Sequence, residues 1–455
     1  MRKYLPVIGL LLLFLILKIS NLSIKISDTN IYWYTAYKLT QGEMLYGDIF
    51  FTNLPLFPYL SALYFFLVGK QLIFYYLTSA IEVSITAFLI FLIVYKQTKK
   101  YIYALSSFML YLFSFMILST SEHQTGVFAA SLFATAGYYL FTKNKCLLSG
   151  ILLSLSLLTK AYFLPIIATI FLITIFKNAR KEFLRLLIGF IGTTAFFLMP
   201  FLLFTQNEFI NSVFTYSLTR SAGLDKTQIL WFFITKDFFF FILLLFNLIF
   251  IKRNLFFGIF SLLSILFFFW YKDTYYLYLN FLAPFLALSA PSLFEFIEKN
   301  FSLQKMVIPT IIFLGVFVNL ALYFLGFRDL QKISNYSALT NTIREHKPEY
   351  LYGVNDTTPA LAYNTNTPLL NNVIDTNANI FRKKFLDAKK LTRDAITNKT
   401  ILVTHGAVYP ELRVEEHVID EIFDKELIKK SCKLIKSVPV VAEGYANRIS
   451  LLKCY

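Results

Sequence analysis

The sequence predicts a polytopic α-helical membrane protein that ends in a small α/β domain. Three observations carry this. Of 455 residues, 57% are hydrophobic and 18% aromatic while only 15% are charged, against roughly 45–50% apolar and about 25% charged in soluble domains. Apolar runs recur from residue 4 to about 327, and a spanning helix asks for about 20 such residues. From Arg328 onward the composition turns soluble and strand-like runs alternate with helical ones, the pattern of an α/β unit. Two domains are expected, 1–327 in the membrane and 328–455 outside it.

About eleven spans are expected, some short or interrupted, at 4–20, 72–95, 101–119, 124–142, 146–158, 163–176, 186–204, 237–251, 255–270, 276–297 and 306–326. An odd count puts the two ends of the chain on opposite sides. Arg2 and Lys3 precede the first run, and alternate connections carry Lys96, Lys99 and Lys100, then Lys143 and Lys145, then Lys177, Arg180, Lys181 and Arg185. Lys252, Arg253, Lys299 and Lys305 continue the series. Basic connections face the cytoplasm, so the opposite loops are external, in an inner (plasma) membrane. The formal net charge of +16 sits largely at these helix ends and calls for no nucleic-acid partner. Residues 20–27 show no small-residue cleavage site, so the first run reads as a retained anchor.

The external stretch 28–59 is too polar to span. Tyr32, Ala36 and Leu39 recur at helical spacing, Gly42 is placed to stop the helix, and Pro55 and Pro58 break the chain again. A short helix at the membrane surface follows from this. Asp28 stands where a cap would stand, and a cap is one reading of it. The order of the features supports another. An Asp just past the first apolar helix, Tyr and Ala at helical spacing, Gly42, Tyr46 with Asp48, and Pro55 with Leu56 opening the next apolar run resemble the first external loop of the GT-C membrane glycosyltransferases. The polyprenyl-phosphate-dependent mannosyltransferase and aminoarabinose-transferase branches are the nearest. Some branches carry an acidic and a basic residue before a Pro-Pro pair, where this chain has Thr52, Asn53, Leu54 and Pro55. The resemblance implies that Asp28 is the catalytic carboxylate, with Asp48 among the substrate-binding groups.

The later external loops hold further candidates. Glu122 and His123 lie between two apolar helices, where ionisable side chains are costly and usually functional. They read either as binders of an acceptor hydroxyl or metal, or as a wet loop capping the next helix. Lys160 is the one basic residue of its turn and reads as a ligand or as a snorkelling lysine. Arg220, in a long interfacial connection, and Lys272 share the outer face with Lys160, and cations converging on one face suit a lipid phosphate. Glu82, within the second span, is expected to pair inside the bundle. In the tail, 350–354, 367–373, 400–406, 432–442 and 448–454 read as strands, with helices at about 377–392 and 414–431. Asp356 and His405 end strands there, as binding residues or as loop polarity. Cys432 and Cys454 could meet across the 439–447 turn or remain two thiols.

The resemblance implies transfer of a sugar from a polyprenyl phosphate, undecaprenyl or dolichyl, to a glycan, lipid or protein acceptor at the outer face. Inversion at the anomeric carbon and a general-base role for Asp28 go with it. A divalent metal is optional in this chemistry, since side chains alone can neutralise a lipid monophosphate. The competing readings are a transporter or flippase of lipid-linked sugars and a non-catalytic membrane scaffold. A transporter favours polar groups near the midplane, whereas here they gather at one face.

Overall fold

The computed structural model describes residues 4–220, 223–301, 307–405, 421–441 and 448–455. Its first part is helical: α1 Leu5–Ile19, α2 Thr29–Thr40, α3 Leu56–Leu67, α4 Leu72–Thr98, α5 Tyr101–Leu112, α6 Phe115–Thr120, α7 Val127–Phe141, α8 Cys146–Thr159, α9 Leu164–Phe176 and α10 Arg180–Phe204. Short turns α11 Gln206–Phe209 and α12 Tyr216–Thr219 lead to α13 Lys226–Lys236, α14 Phe238–Ile249, α15 Leu255–Trp270, α16 Ala283–Phe301 and α17 Val307–Leu322. Every expected apolar segment carries helix. Among the described residues three helices, Leu72–Thr98, Arg180–Phe204 and Val307–Phe327, are long and apolar enough to cross a membrane, and α13 with α14 forms a pair bent by 104°. The others are shorter, and two of the expected segments are broken. Ser114 interrupts 101–119 by capping α6, its Oγ accepting from the Ile117 amide. The 276–297 segment opens as a 3-10 turn at Tyr276–Phe281 before α16 begins, so Pro284 sits in a first helical turn, where its missing N–H costs nothing, and not in mid-helix.

Large apolar side chains stay exposed along the outer helices, Phe196 and Phe204 at 75%, as a lipid-facing surface requires. Inside, α8 and α10 meet at paired glycines. A Cβ on Gly150 would lie 2.1 Å from the Leu186 carbonyl oxygen and one on Gly189 2.2 Å from that of Leu147. Small residues permit such backbone contact between membrane helices.

The tail is an α/β unit with a five-stranded sheet in the order β1-β4-β5-β3-β2. Its strands are β1 Lys332–Ile333, β2 Leu351–Gly353, β3 Ile401–His405, β4 Cys432–Val441 and β5 Arg448–Cys454. Among the described strands β2 and β3 run parallel, and the other pairs are antiparallel. Cys432 lies opposite Cys454 and the two form a disulfide. The expected strand at 367–373 is absent. Asn371 and Asn372 take φ of 51° and 55°, a left-handed conformation that asparagine tolerates, and curl Leu370–Asn372 into a 3-10 turn. The helix expected at 377–392 is two, α20 Ala378–Arg382 and α21 Ala388–Thr397, the second capped by Asp387. Of the one expected at 414–431, residues 414–420 lie outside the described residues, and Lys425–Ser431 is helical. Strand β1 and the helices α18 Tyr336–His346 and α19 Thr358–Thr365 were not foreseen.

Two features hold the tail against the helical part. Helix α2 ends at Gly42, with φ of 92°, and buries Thr29 through Ala36. Its Trp33 ring packs 4.6 Å from Phe65 of α3 and 5.4 Å from Tyr363 of α19. The chain just before α2 extends the sheet: Ile26 N–H donates to Gln331 O at 2.9 Å, and Ile333 N–H to Ile24 O at 3.1 Å. Asp28 therefore follows directly from a sheet edge.

Candidate active site

The loop that carries Asp28 is fixed on both sides. Ser27 N–H donates to the Asp356 carbonyl at 3.1 Å, the Asn30 amide donates to Lys25 O at 3.0 Å, and Tyr76 OH donates to Asn30 Oδ1 at 2.8 Å. Capping of α2 falls to the preceding residue: the Thr29 amide donates to Ser27 Oγ at 3.2 Å. Asp28 makes no side-chain capping bond. Its carboxylate is left open to a cavity of about 540 Å³, to which His123, Arg220, Tyr278, Asp356 and Asn377 also contribute. A narrower recess adjoins it, sharing Asp28 and Arg220 and adding Lys160, Tyr32, Tyr162, Asn355 and Asp375.

Although Asp28 has surface open to the cavity, the surrounding protein strips most bulk water from it. Burial, reinforced by Asp375 and Asp356 and partly offset by Lys160 and Arg220, pushes its carboxyl up to about 6. Lys160 Nζ donates to Tyr32 OH at 2.9 Å. Burial brings its ammonium down to about 7, with Asp28 working the other way. Arg220 pairs with Asp273 at 2.7 Å and lies 5.2 Å over the Tyr216 ring. Burial opposes its charge, but Asp273 and Tyr278 outweigh that and hold it charged. Its Nε is buried without a hydrogen-bond partner among the described residues.

The structure thus places Asp28 and Arg220 in both spaces, His123 in the larger cavity and Lys160 in the recess, and leaves the other candidates elsewhere. His123 Nδ1 meets Ser27 Oγ at 2.9 Å, and burial together with Lys25 lowers it to about 4, a neutral imidazole at ordinary pH. Glu122 does not line the cavity. It pairs with Lys18 at 3.0 Å and with Lys25, and accepts from Asn21 and, at 2.6 Å, from Tyr323. Burial opposes its charge, yet the two lysines bring its carboxyl down to about 2. It works as a buried tie between α1, the Asp28 loop and α17. Lys272 is exposed and reaches the site only through its backbone, its carbonyl accepting from Gly223 N at 3.2 Å; the neighbouring Asp273 is the residue that faces Arg220. Asp48 closes a turn by accepting from Met44 N at 2.8 Å and lines a separate cavity. Glu82 pairs inside the bundle as expected, with Tyr64 at 2.7 Å and Gln124 at 3.1 Å.

These residues do not suit a metal. The oxygens of Glu122 are already taken, and among the described residues no three His, Cys, Asp or Glu side chains gather where they could hold an ion. Of the tail's share of the site, sequence reasoning singled out Asp356, which lines the larger cavity and bonds His405 at 3.1 Å, and missed Asn355, Asp375 and Asn377. Their signal was the amide-rich run between the first two long strands of the tail, at the sheet end where binding loops tend to lie.

A helical part with a docked α/β tail, meeting around the cavity that Asp28 lines, is a fold shared with solved structures. In particular, the chain is similar to ArnT from Cupriavidus metallidurans. The apo structure of that protein matches with a TM-score of 0.63 at 10% identity over 98% of both chains. Its structure bound to undecaprenyl phosphate matches with a TM-score of 0.65 at 11% identity, over 98% of this chain and 97% of that one. At such identity the likeness establishes the fold. No family model and no curated protein matches the sequence.

Proposed function

We propose that this chain is a membrane glycosyltransferase that moves a sugar from a polyprenyl-phosphate donor to an acceptor hydroxyl at the extracytoplasmic face, with inversion. One observation carries the reading: Asp28, whose carboxylate makes no side-chain capping bond, shares a recess with Arg220 and Lys160. The likeness to a protein solved with undecaprenyl phosphate supports the donor class. In this mechanism the acceptor oxygen attacks the anomeric carbon while its proton passes to the Asp28 carboxylate, a general-base step typically worth about 10²- to 10⁴-fold. The bond from that carbon to the phosphate oxygen breaks, and the electron pair leaves with the lipid phosphate. The added negative charge is met by the Arg220 guanidinium and the Lys160 ammonium.

The two shifted groups give this reading a pH signature. Asp28 must be deprotonated, which holds above about 6, and Lys160 must be charged, which holds below about 7. The profile of kcat/KM for the donor is therefore expected to be a narrow bell, since that parameter reports groups of the free enzyme. Replacing Lys160 by Arg, which stays charged, is expected to remove the alkaline limb and keep the acid one. An alkaline limb that persists unchanged in Lys160→Arg sinks the assignment.

The reading includes about eleven spans and an external tail. A reporter enzyme that works only outside the cytoplasm, fused after Tyr455, is expected to be active. Activity there of a cytoplasm-only reporter would overturn the topology.

A further inference from the structure

A second cavity, of about 400 Å³, lies between the 46–50 loop, the helical turns after α10, and residues 371–386 of the tail. Its polar lining includes Asp48, Glu208, Asn211, Ser212, Asn371, Asn372 and Asp375. Tyr46, Phe50 and Phe385 add aromatic surface, the last two with ring centroids 6.0 Å apart. Among the described residues, no Lys, Arg or His lines it. The cavity containing Asp28 differs in having cations among its carboxylates: Lys25 and Arg220 stand in its wall beside Asp28, Asp273 and Asp356, and Lys160 in its recess. Asp375 belongs to both spaces. Its Oδ1 accepts from the Asn355 side chain at 3.0 Å and from the Asn377 amide at 2.9 Å, which fixes it as the partition between them.

We propose that this second cavity is the acceptor subsite and that it takes an uncharged or amine-bearing sugar rather than a phosphorylated or carboxylated one. The proposal rests on the glycosyltransferase reading and adds the acceptor's chemistry to it. Three carboxylates without a cation repel an anionic ligand, and like charges brought together at an interface are a strong means of exclusion. Amide and carboxylate side chains together offer donors and acceptors to hydroxyls and acceptors to an ammonium. Aromatic rings give the C–H face of a pyranose an apolar surface. A sugar seated there reaches toward Asp28 past Asp375, while the donor's phosphate stays beside Arg220 and Lys160. Cations on one side of the partition, with none among the described residues lining the other, keep donor and acceptor from exchanging places.

The test is saturation-transfer NMR on the purified full chain in lipid nanodiscs with three probes: glucosamine, methyl glucoside and glucose 6-phosphate. Glucosamine and methyl glucoside are expected to bind, and glucose 6-phosphate is not. Glu208 and Asn211 are exposed, so Glu208→Lys and Asn211→Trp keep the fold. The first is expected to weaken glucosamine at least about tenfold, and the second to fill the cavity and remove both sugars. Equal binding of glucose 6-phosphate, no binding of either sugar to the unaltered chain, or sugar binding indifferent to both substitutions overturns the proposal. Undecaprenyl phosphate binding, measured on the same samples, is expected to survive both substitutions. If the lipid binds no form while the sugars follow the cavity variants, the donor reading fails and the sugar site stands. If the lipid binds and the sugars do not, the reverse holds.

Discussion

Asp28→Asn is expected to lower transfer by about 10²- to 10⁴-fold while leaving the protein folded, and to make it slightly more stable at neutral pH. Both halves follow from what the carboxylate does not do. It caps no helix, because Ser27 accepts from the Thr29 amide, and it makes no side-chain capping bond of its own. Removing its charge therefore breaks nothing. The stability term has a definite sign. A carboxyl raised from 3.8 to about 6 holds more protons in the folded chain than in the unfolded one between those values. Stability falls as pH rises through that window, and the full penalty is present above about 6. An amide carries no such penalty. Turnover of a polyprenyl-phosphate sugar followed by mass spectrometry, alongside thermal unfolding of the same preparations, checks both halves. Near wild-type turnover in Asp28→Asn removes the residue from the mechanism. A large loss of thermal stability would make Asp28 a structural residue.

What the sequence showed of this site was set by how local each signal is. Helix α2, its stop at Gly42 and the carboxylate in front of it lie within fifteen residues of one another, so spacing revealed the helix and its stop, while the resemblance of the opening loop singled out the carboxylate. Charge bias along the loops likewise drew attention to Lys160 and Arg220, both of which line the recess. Partners far apart in the chain gave no such sign. Lys18 reads as one lysine in an apolar helix, yet it is fully buried against Glu122, 104 residues away; without that pairing Glu122 looks free to bind substrate. Lys272 and Asp273 are adjacent, and the choice between them depends on which side of a loop faces inward, which periodicity does not encode. Of the tail's contribution Asp356 alone was singled out, and its place beside Asp28 was hidden for the same reason. Asn355, Asp356, Asp375 and Asn377 enter the site because residues 24–26 pair with the chain at β1, a contact across some three hundred positions. Runs of asparagine with positive φ at 371 and 372 also defeated the strand expected there, since apolar alternation cannot show where a chain curls.

Arg220 bears on the donor, and its removal is expected to be the second most damaging change. Its Nη1 is committed to Asp273 at 2.7 Å, while its Nε is buried with no partner among the described residues. A guanidinium has five N–H donors, so the pairing orients it and leaves donors for a phosphate. Arg220→Ala alone would strand the Asp273 carboxylate, which is 3% exposed, and breaking a buried pair from one side costs about 3–5 kcal/mol. The informative variant is the double one, Arg220→Ala with Asp273→Asn, which removes both charges together. It is expected to fold, and to lose about 10²- to 10³-fold in kcat/KM for the donor, the usual effect of deleting one donor to a developing oxyanion. Acceptor KM should change little, because the acceptor's proton goes to Asp28 and its sugar lies across Asp375. Asp273→Asn by itself is the control: it keeps the guanidinium and tests its orientation, so a smaller loss is expected. Steady-state kinetics with donor and acceptor varied separately distinguish these outcomes. A folded double variant with unaltered donor dependence would show that the leaving phosphate is held elsewhere and leave Lys160 as the one cation of the recess to answer for it.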